Sequence, residues 1–278
     1  MSLCLIAIFK NESHILEEWI KHYITQGVDK FFLIDNGSND NYLQCLQKYI
    51  DNNIVELVID DKKHCQIEHY NHYFLEKCKV YDWVIVCDLD EFIYARKGLK
   101  TIKDYVNRLG LIVSQVFIPW KIFGSNGFQD QPDSVVQSFT KRINYDKNDG
   151  FQGVIKEGND KYSLAKCIVR TKYLNEFNIH SHNTLNNKYV TSNNKINTIH
   201  SNNSFCKIDE QILEESYLHL NHYALQSYNW FMKVKGTRGE VNAYHSESIR
   251  TENYFREFDE VSNDIDDIEL KELSCVTK

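Results

Sequence analysis

In the first 88 residues, short apolar runs of strand length alternate with stretches whose apolar residues recur at helical spacing. The runs are LCLIAIF (3–9), KFFLID (30–35), IVELVI (54–59) and WVIVCD (83–88), and residues 13–26, 41–51 and 66–80 lie between them. In the first of those stretches Ile15, Leu16, Trp19, Ile20, Tyr23 and Ile24 share one face of a helix, and Ser13 stands where a cap belongs. Strands joined through helices of this length form right-handed crossovers and a parallel sheet covered on both faces. The expected class is therefore α/β, with a mostly parallel central sheet flanked by helices.

Such sheets bind ligands at the carboxyl ends of their strands. Three polar clusters fall there: Lys10-Asn11-Glu12, the sextet Asp35 to Asp40 (DNGSND), and Asp88-Leu89-Asp90-Glu91. Beyond residue 100 the pattern loosens. A short helix is expected at 101–109, a strand at 114–120 leading into FGSNG, and further strands at 134–140 and 164–170. From about 205 the chain reads as helical and increasingly acidic, ending in DEVSNDIDDIELKEL. No internal repeat or domain boundary interrupts the 278 residues.

Composition removes several classes. A formal net charge of −7 without a long basic run speaks against nucleic-acid binding. A phosphate-bearing ligand then needs a metal ion for counter-charge. Eight cysteines without a CxxC make a zinc ribbon unlikely and fit a reducing compartment. No stretch approaches 18 apolar residues, and residues 1–8 are too short for a signal peptide. The expected location is the cytoplasm, with no transmembrane segment.

Asp88 and Asp90 end the fourth strand two residues apart, and like charges that close need a cation or a raised pKa. An isolated DxD is commonly a turn. At the end of a fourth βα strand, with a second acidic turn after strand two, an oxygen-ligated Mg²⁺ or Mn²⁺ is the better reading. Asp35 could accept from a base or ribose, although DNGSND is equally ordinary turn chemistry. Downstream, LHLNHYALQSYNWFMKVKG (218–236) carries His219, His222, Lys233 and Lys235, with Arg238 just beyond. A histidine beside cations there could complete a metal–diphosphate site. His180 and His182 could sit on opposite sides of a strand.

Taken in order, AIFKNESHILEEWIKHYITQGVDKFFLIDNGSND, QIEHYNHY, DWVIVCDLDEFI, WKIFGSNG and LNHYALQSYNWFMKVKG resemble glycosyltransferase family 92 and related family-2-like enzymes over roughly residues 3–240. The resemblance implies a GT-A fold with a Rossmann-like central sheet: a nucleotide-binding half (1–100), an acceptor-binding half (101–240) and an acidic helical tail (241–278), in one domain. It implies a metal-dependent, inverting hexosyltransferase. The donor would be a nucleotide-sugar, UDP-linked and possibly UDP-galactose. The acceptor would be a glycan, glycoprotein or glycolipid hydroxyl. Asp88 and Asp90 match its DxD and His222 its C-terminal HY motif, so these three are the expected ligands of Mn²⁺ or Mg²⁺. Lys10, Asn11 and Glu12 match the loop after the first strand and Asp35 the acidic residue after the second. With Asp88, Lys233 and Lys235 they form the expected donor site. Trp120 to Gly124 match the acceptor-side loop.

Many animal members of that family carry an N-terminal membrane anchor and lumenal disulfides, and neither is expected here; Asn11-Glu12-Ser13 and Asn36-Gly37-Ser38 are also glycosylation sequons at the expected site, where modification would block it. A cytosolic setting, bacterial or viral, fits them better than a secretory one. For the base that activates the acceptor the order is Asp130, Asp133, Glu91; Glu91 could instead orient the loop. Trp120 and Phe123 offer flat faces to a sugar ring, and Gly124 and Gly127 allow a mobile loop, although both aromatics could equally be core. Two rivals stay open. One is a binding module without turnover; the other is a metal-dependent nucleotidyltransferase, which would normally carry a glycine-rich loop where this chain has FKNES.

Overall fold

A computed structural model describes residues 1–148, 153–195, 199–200, 204–238 and 250–276. The first half runs β1 (Leu3–Phe9), α1 (Ser13–Thr25), β2 (Lys30–Asp35), α2 (Tyr42–Asp51), β3 (Val55–Ile59), α3 (Gln66–Cys78), β4 (Trp83–Val86), β5 (Glu91–Ala95), α4 (Ile102–Val106). Then come β6 (Gln115–Ile122), α5 (Val135–Ser138), β7 (Lys141–Arg142), β8 (Val154–Glu157), β9 (Asp160–Arg170), β10 (Leu174–Glu176) and β11 (Asn183–Thr184). The last elements are β12 (Tyr189–Thr191), β13 (Phe205–Lys207), α6 (Glu210–Glu215), β14 (Leu218–His222), α7 (Tyr228–Lys233), α8 (Glu252–Val261), β15 (Ile265–Asp266) and α9 (Glu269–Val276).

The main sheet has the order β3-β2-β1-β4-β9-β6-β14-β5. It is parallel from β3 to β4, as the alternating pattern requires. Beyond β4 it is mixed: β9 runs antiparallel to both β4 and β6, β14 parallel to β6, and β5 antiparallel to β14. The α/β class expected from the sequence holds. Period-2 alternation divides β1 cleanly between two cores. Leu3, Leu5, Ala7 and Phe9 pack with α1 and α2, while Cys4 and Ile6 pack with Tyr70, Phe74 and Cys78 of α3.

The connection Cys87–Asp90 decides where the chemistry sits. It leaves β4 and enters β5, which lie in the sheet with β9, β6 and β14 between them. The two aspartates are therefore carried past the ends of those strands, not left at the tip of one. Trp19 holds this crossing from below, its indole N–H reaching the carbonyls of Asp88 and Glu91, each at 3.1 Å.

Three expectations change. Residues 134–140 do not form a strand: Ser134 caps the short helix α5 by accepting from Gln137 N–H, and Glu18 accepts from Val135 N–H. Residues 218–222 form a buried strand instead of a helix, so His219 and His222, three apart, face opposite sides. The tail expected over 241–278 packs on the domain through Phe255, Phe258 and Leu270; residues 241–249 lie outside the described residues. Among the described residues no helix is long and apolar enough to cross a membrane.

Candidate active site

A cavity of about 640 Å³ opens at the carboxyl ends of β1, β4, β6 and β14. Of the residues singled out in the sequence, Lys10, Glu12, Asp88, Asp90, Trp120, His180, His222, Lys235 and Arg238 line it. Six lysines and arginines (Lys10, Lys62, Lys63, Lys235, Arg238 and Arg250) face three carboxylates there. In a chain of net charge −7 that is a local reversal of sign.

The two aspartates look in different directions. Asp90 is ion-paired with Lys235 and lies 3.6 Å from His222 Nε2. Burial alone would raise its pKa, but Lys235 and His222 outweigh it and hold the carboxyl well below the usual range. Burial likewise pushes His222 below its ordinary value despite Asp90, and its Nδ1 is buried without a partner. Its ring lies 4.1 Å from that of Trp120, which also meets His180 at 5.5 Å. Asp88 instead accepts from Lys166 Nζ at 2.8 Å and from Gln66 Nε2 at 3.4 Å. At the mouth, Arg238 pairs with Glu12 at 3.2 Å and donates to the carbonyl of Lys10. Burial raises the pKa of Glu12 against the pull of Arg238.

Other candidates are placed elsewhere. Glu91 is wholly buried behind Asp88, whose backbone N–H donates to it at 2.9 Å. Burial pushes its pKa up to about 8 despite Lys166. Glu91 thus anchors the turn and does not face an acceptor. Asp130 and Asp133 are exposed and outside the cavity, Asp130 accepting from Asn229 at 2.8 Å. Phe123 is 0 % exposed and packs 4.9 Å from Tyr223, because alternation along β6 turns it away from the side Trp120 faces. A side chain on Gly124 would meet Asn263 at 2.5 Å. These two positions are scaffold, not acceptor loop. Asp35 is buried and closes its turn by accepting from Ser38 N–H at 2.8 Å. Asn11, at φ 53°, accepts from Asn39 N–H at 2.8 Å. Lys233, the last residue of α7, is exposed, two residues before the cavity residue Lys235. Among the described residues no three His, Cys, Asp or Glu side chains are gathered to hold a metal ion: Asp90 and His222 meet, and Asp88 is turned to Lys166.

The site also contains groups that sequence reasoning missed. Lys166 had a local signal, a single lysine in the apolar stretch SLAKCIVR. Gln66, Lys62, Lys63, Arg250 and Tyr254 had none, being isolated residues brought in by the ends of separate elements.

A profile of glycosyltransferase family 92 matches residues 1–264. A glycosyltransferase family 92 protein of Ricinus communis is 27% identical over 147 residues, covering 51% of this chain and 26% of the relative. One of Oryza sativa subsp. japonica is 28% identical over 105 residues, covering 37% of this chain and 18% of the relative. The chain thus spans about a quarter or less of the length of these relatives, and neither is bacterial or viral. Among solved structures, S. aureus TarS 1-349 in complex with UDP-GlcNAc superposes with a TM-score of 0.39 at 15% identity, covering 69% of this chain and 58% of that one. Glucosyl-3-phosphoglycerate synthase from Mycobacterium tuberculosis, in complex with Mn²⁺, UDP and glucosyl-3-phosphoglycerate, gives 0.31 at 11%, covering 62% and 58%.

Proposed function

From a chain that belongs to glycosyltransferase family 92, we propose that the cavity is the donor site of an inverting glycosyltransferase. It takes a nucleotide-sugar, in the first instance a UDP-hexose, and passes the sugar to a hydroxyl of a glycan, glycoprotein or glycolipid. The observation that carries this reading is the charge of the cavity: six cationic side chains line it against three carboxylates in an otherwise acidic protein. A diphosphate flanked by a sugar and a nucleoside meets that need for negative charge, and a cavity of about 640 Å³ is in the range of small-molecule sites.

Mn²⁺ or Mg²⁺ would be held by Asp90 and His222, an ionised oxygen donor 3.6 Å from an imidazole Nε2. When bound, it would stabilise the charge developing on the leaving diphosphate. Lys235 and Arg238, which pair with Asp90 and Glu12, add positive charge beside the same position. Trp120 presents its half-buried ring to the cavity and is the residue placed to stack on a sugar. The wall of Ile8, Leu164, Ile179 and Phe258 limits water around the anomeric carbon.

A screen of sugar nucleotides for hydrolysis and transfer, with and without Mn²⁺, tests the reading. Turnover of a UDP-hexose that rises with Mn²⁺ is expected. Failure of every nucleotide-sugar to bind overturns it, and binding without turnover on any acceptor favours a binding module.

A further inference from the structure

Lys166 sits in β9 and is 0 % exposed. A lysine taken wholly out of water costs several kcal/mol unless its charge is met. It is met from one side only. Its Nζ donates to Asp88 Oδ2 at 2.8 Å and lies 3.5 Å from Glu91 Oε2. Glu91, itself 0 % exposed, holds the backbone N–H of Asp88 at 2.9 Å. The side chain of Asp88 is 36% exposed, so one edge of its carboxylate is fastened to the interior while the remainder meets the cavity. Asp90, two residues on, is held by groups of the opposite wall, Lys235 and His222. The two carboxylates of the pair are thus pulled apart by buried cations on different elements.

We propose that Lys166 is a positioning residue that divides the work of the two aspartates. Its ammonium pins Asp88 against β9, keeps that carboxylate from joining Asp90 around a divalent cation, and presents the other edge, which accepts only a long 3.4 Å bond from Gln66, to the donor. The assignment rests on the reading of the cavity as a cation-assisted nucleotide-sugar site. Its physical basis is Coulombic. A fixed positive charge 2.8 Å from Asp88 repels a second cation from that oxygen, and in a partly buried site the repulsion amounts to kcal/mol and not tenths. Glu91 serves as the rear support, since without its backbone contact the turn carrying Asp88 would be free to swing toward Asp90.

The test is Mn²⁺ affinity in the presence of UDP, read as free Mn²⁺ by electron paramagnetic resonance, with melting temperature measured alongside. Native protein, Lys166→Met, Lys166→Arg, Asp88→Asn and Asp90→Asn are compared. Asp90→Asn should lose saturable Mn²⁺ binding, while Asp88→Asn, which removes a donor contact but no ligand of the cation, should keep it saturable and weaken it less than about tenfold. Lys166→Met should bind Mn²⁺ about tenfold more tightly, because Asp88 becomes available as a second ligand. Lys166→Arg, which keeps the charge, should restore the native affinity. If Lys166→Met fails to fold, Lys166→Arg and Asp88→Asn decide, since neither removes the buried cation. Lys166→Met binding no more tightly than native, or Asp88→Asn losing Mn²⁺ as Asp90→Asn does, overturns the proposal while leaving the donor-site reading intact. Native protein that binds no Mn²⁺ beyond what UDP alone retains overturns the cation reading and this proposal together.

Discussion

Two lysines on neighbouring strands are almost wholly buried, Lys166 in β9 and Lys121 in β6, and their surroundings differ in one respect. Around Lys121 every charged group has an opposite partner, although burial still pushes the lysine's own pKa below its ordinary value. Its Nζ lies 2.7 Å from Asp267 and 3.7 Å from Glu269, and donates to Tyr94 at 3.0 Å. Arg142 pairs with Asp267 and with Glu210, and Arg96 with Glu269 at 2.8 Å. Burial works against ionisation of Glu269, but His219 and Lys121 hold its carboxyl well below the usual range. Lys121 and Arg142 do the same for Asp267. Around Lys166 the count fails: Glu91 is pushed up to about 8 and its Oε1 is buried without a partner. The closed cluster is a clasp that holds the segment 265–269 to β5, β6 and β14. The open one, with carboxylates in excess and a cavity beside it, is built to receive charge. A buried lysine does not by itself mark a site; the unanswered part of its neighbourhood does.

If the comparison holds, the largest effect belongs to the clasp. Lys121→Met leaves Asp267 and Glu269 short of a cation and should destabilise by about 3–5 kcal/mol, seen as a lower urea midpoint at unchanged slope. Lys166→Met should cost less, because Asp88 still reaches water. Equal losses would erase the distinction between the two clusters. Next is Asp90→Ala, which should slow transfer at least a hundredfold, ~3 kcal/mol, with little change in melting temperature. A parallel loss of stability would place Asp90 with the clasp.

The third effect is one of pH. The folded pKa of Glu269 lies below its ordinary value of 4.5, so the unfolded chain takes up its proton first as pH falls. The stability it contributes is present above about 4.5 and lost as pH drops through the lower folded value. Melting temperature should therefore fall steeply below about pH 4.5, and Glu269→Gln should lower it at neutral pH while flattening that acid slope. An unchanged slope would mean the clasp is not held by this carboxylate. The smallest effect is expected at Asp130. Asp130→Asn, at an exposed side chain bonded to Asn229, should change transfer and stability by less than ~0.5 kcal/mol. A loss of tenfold or more would return it to consideration as the base.

The same contrast explains what could be read from the chain alone. The three βα units, the fourth strand and the Asp88–Asp90 turn announce themselves because their signals are local: apolar period, turn residues, adjacent charges. Trp120 and Phe123 show where local reading stops. Both follow the same apolar run, yet the first lines the cavity and the second is core, a matter of which face of β6 each occupies. His219 and His222 divide likewise, one to the clasp and one to the cavity. β5 stayed hidden because its partner β14 is more than 120 residues away, and strand identity there is a property of the pairing. The clasp was invisible for the same reason, since DIDDIELKEL reads as a solvated acidic helix until Lys121, Arg142 and Arg96 are brought against it.

The most direct test of the cavity's role is calorimetric titration of UDP with Mn²⁺ present, into native protein and Asp90→Ala with matched melting temperatures. The expected result is a single UDP site in the native protein, with binding weakened about a hundredfold or lost in Asp90→Ala. Equally tight UDP binding by both proteins would contradict it, because the carboxylate that meets His222 and Lys235 would then have no part in holding the donor.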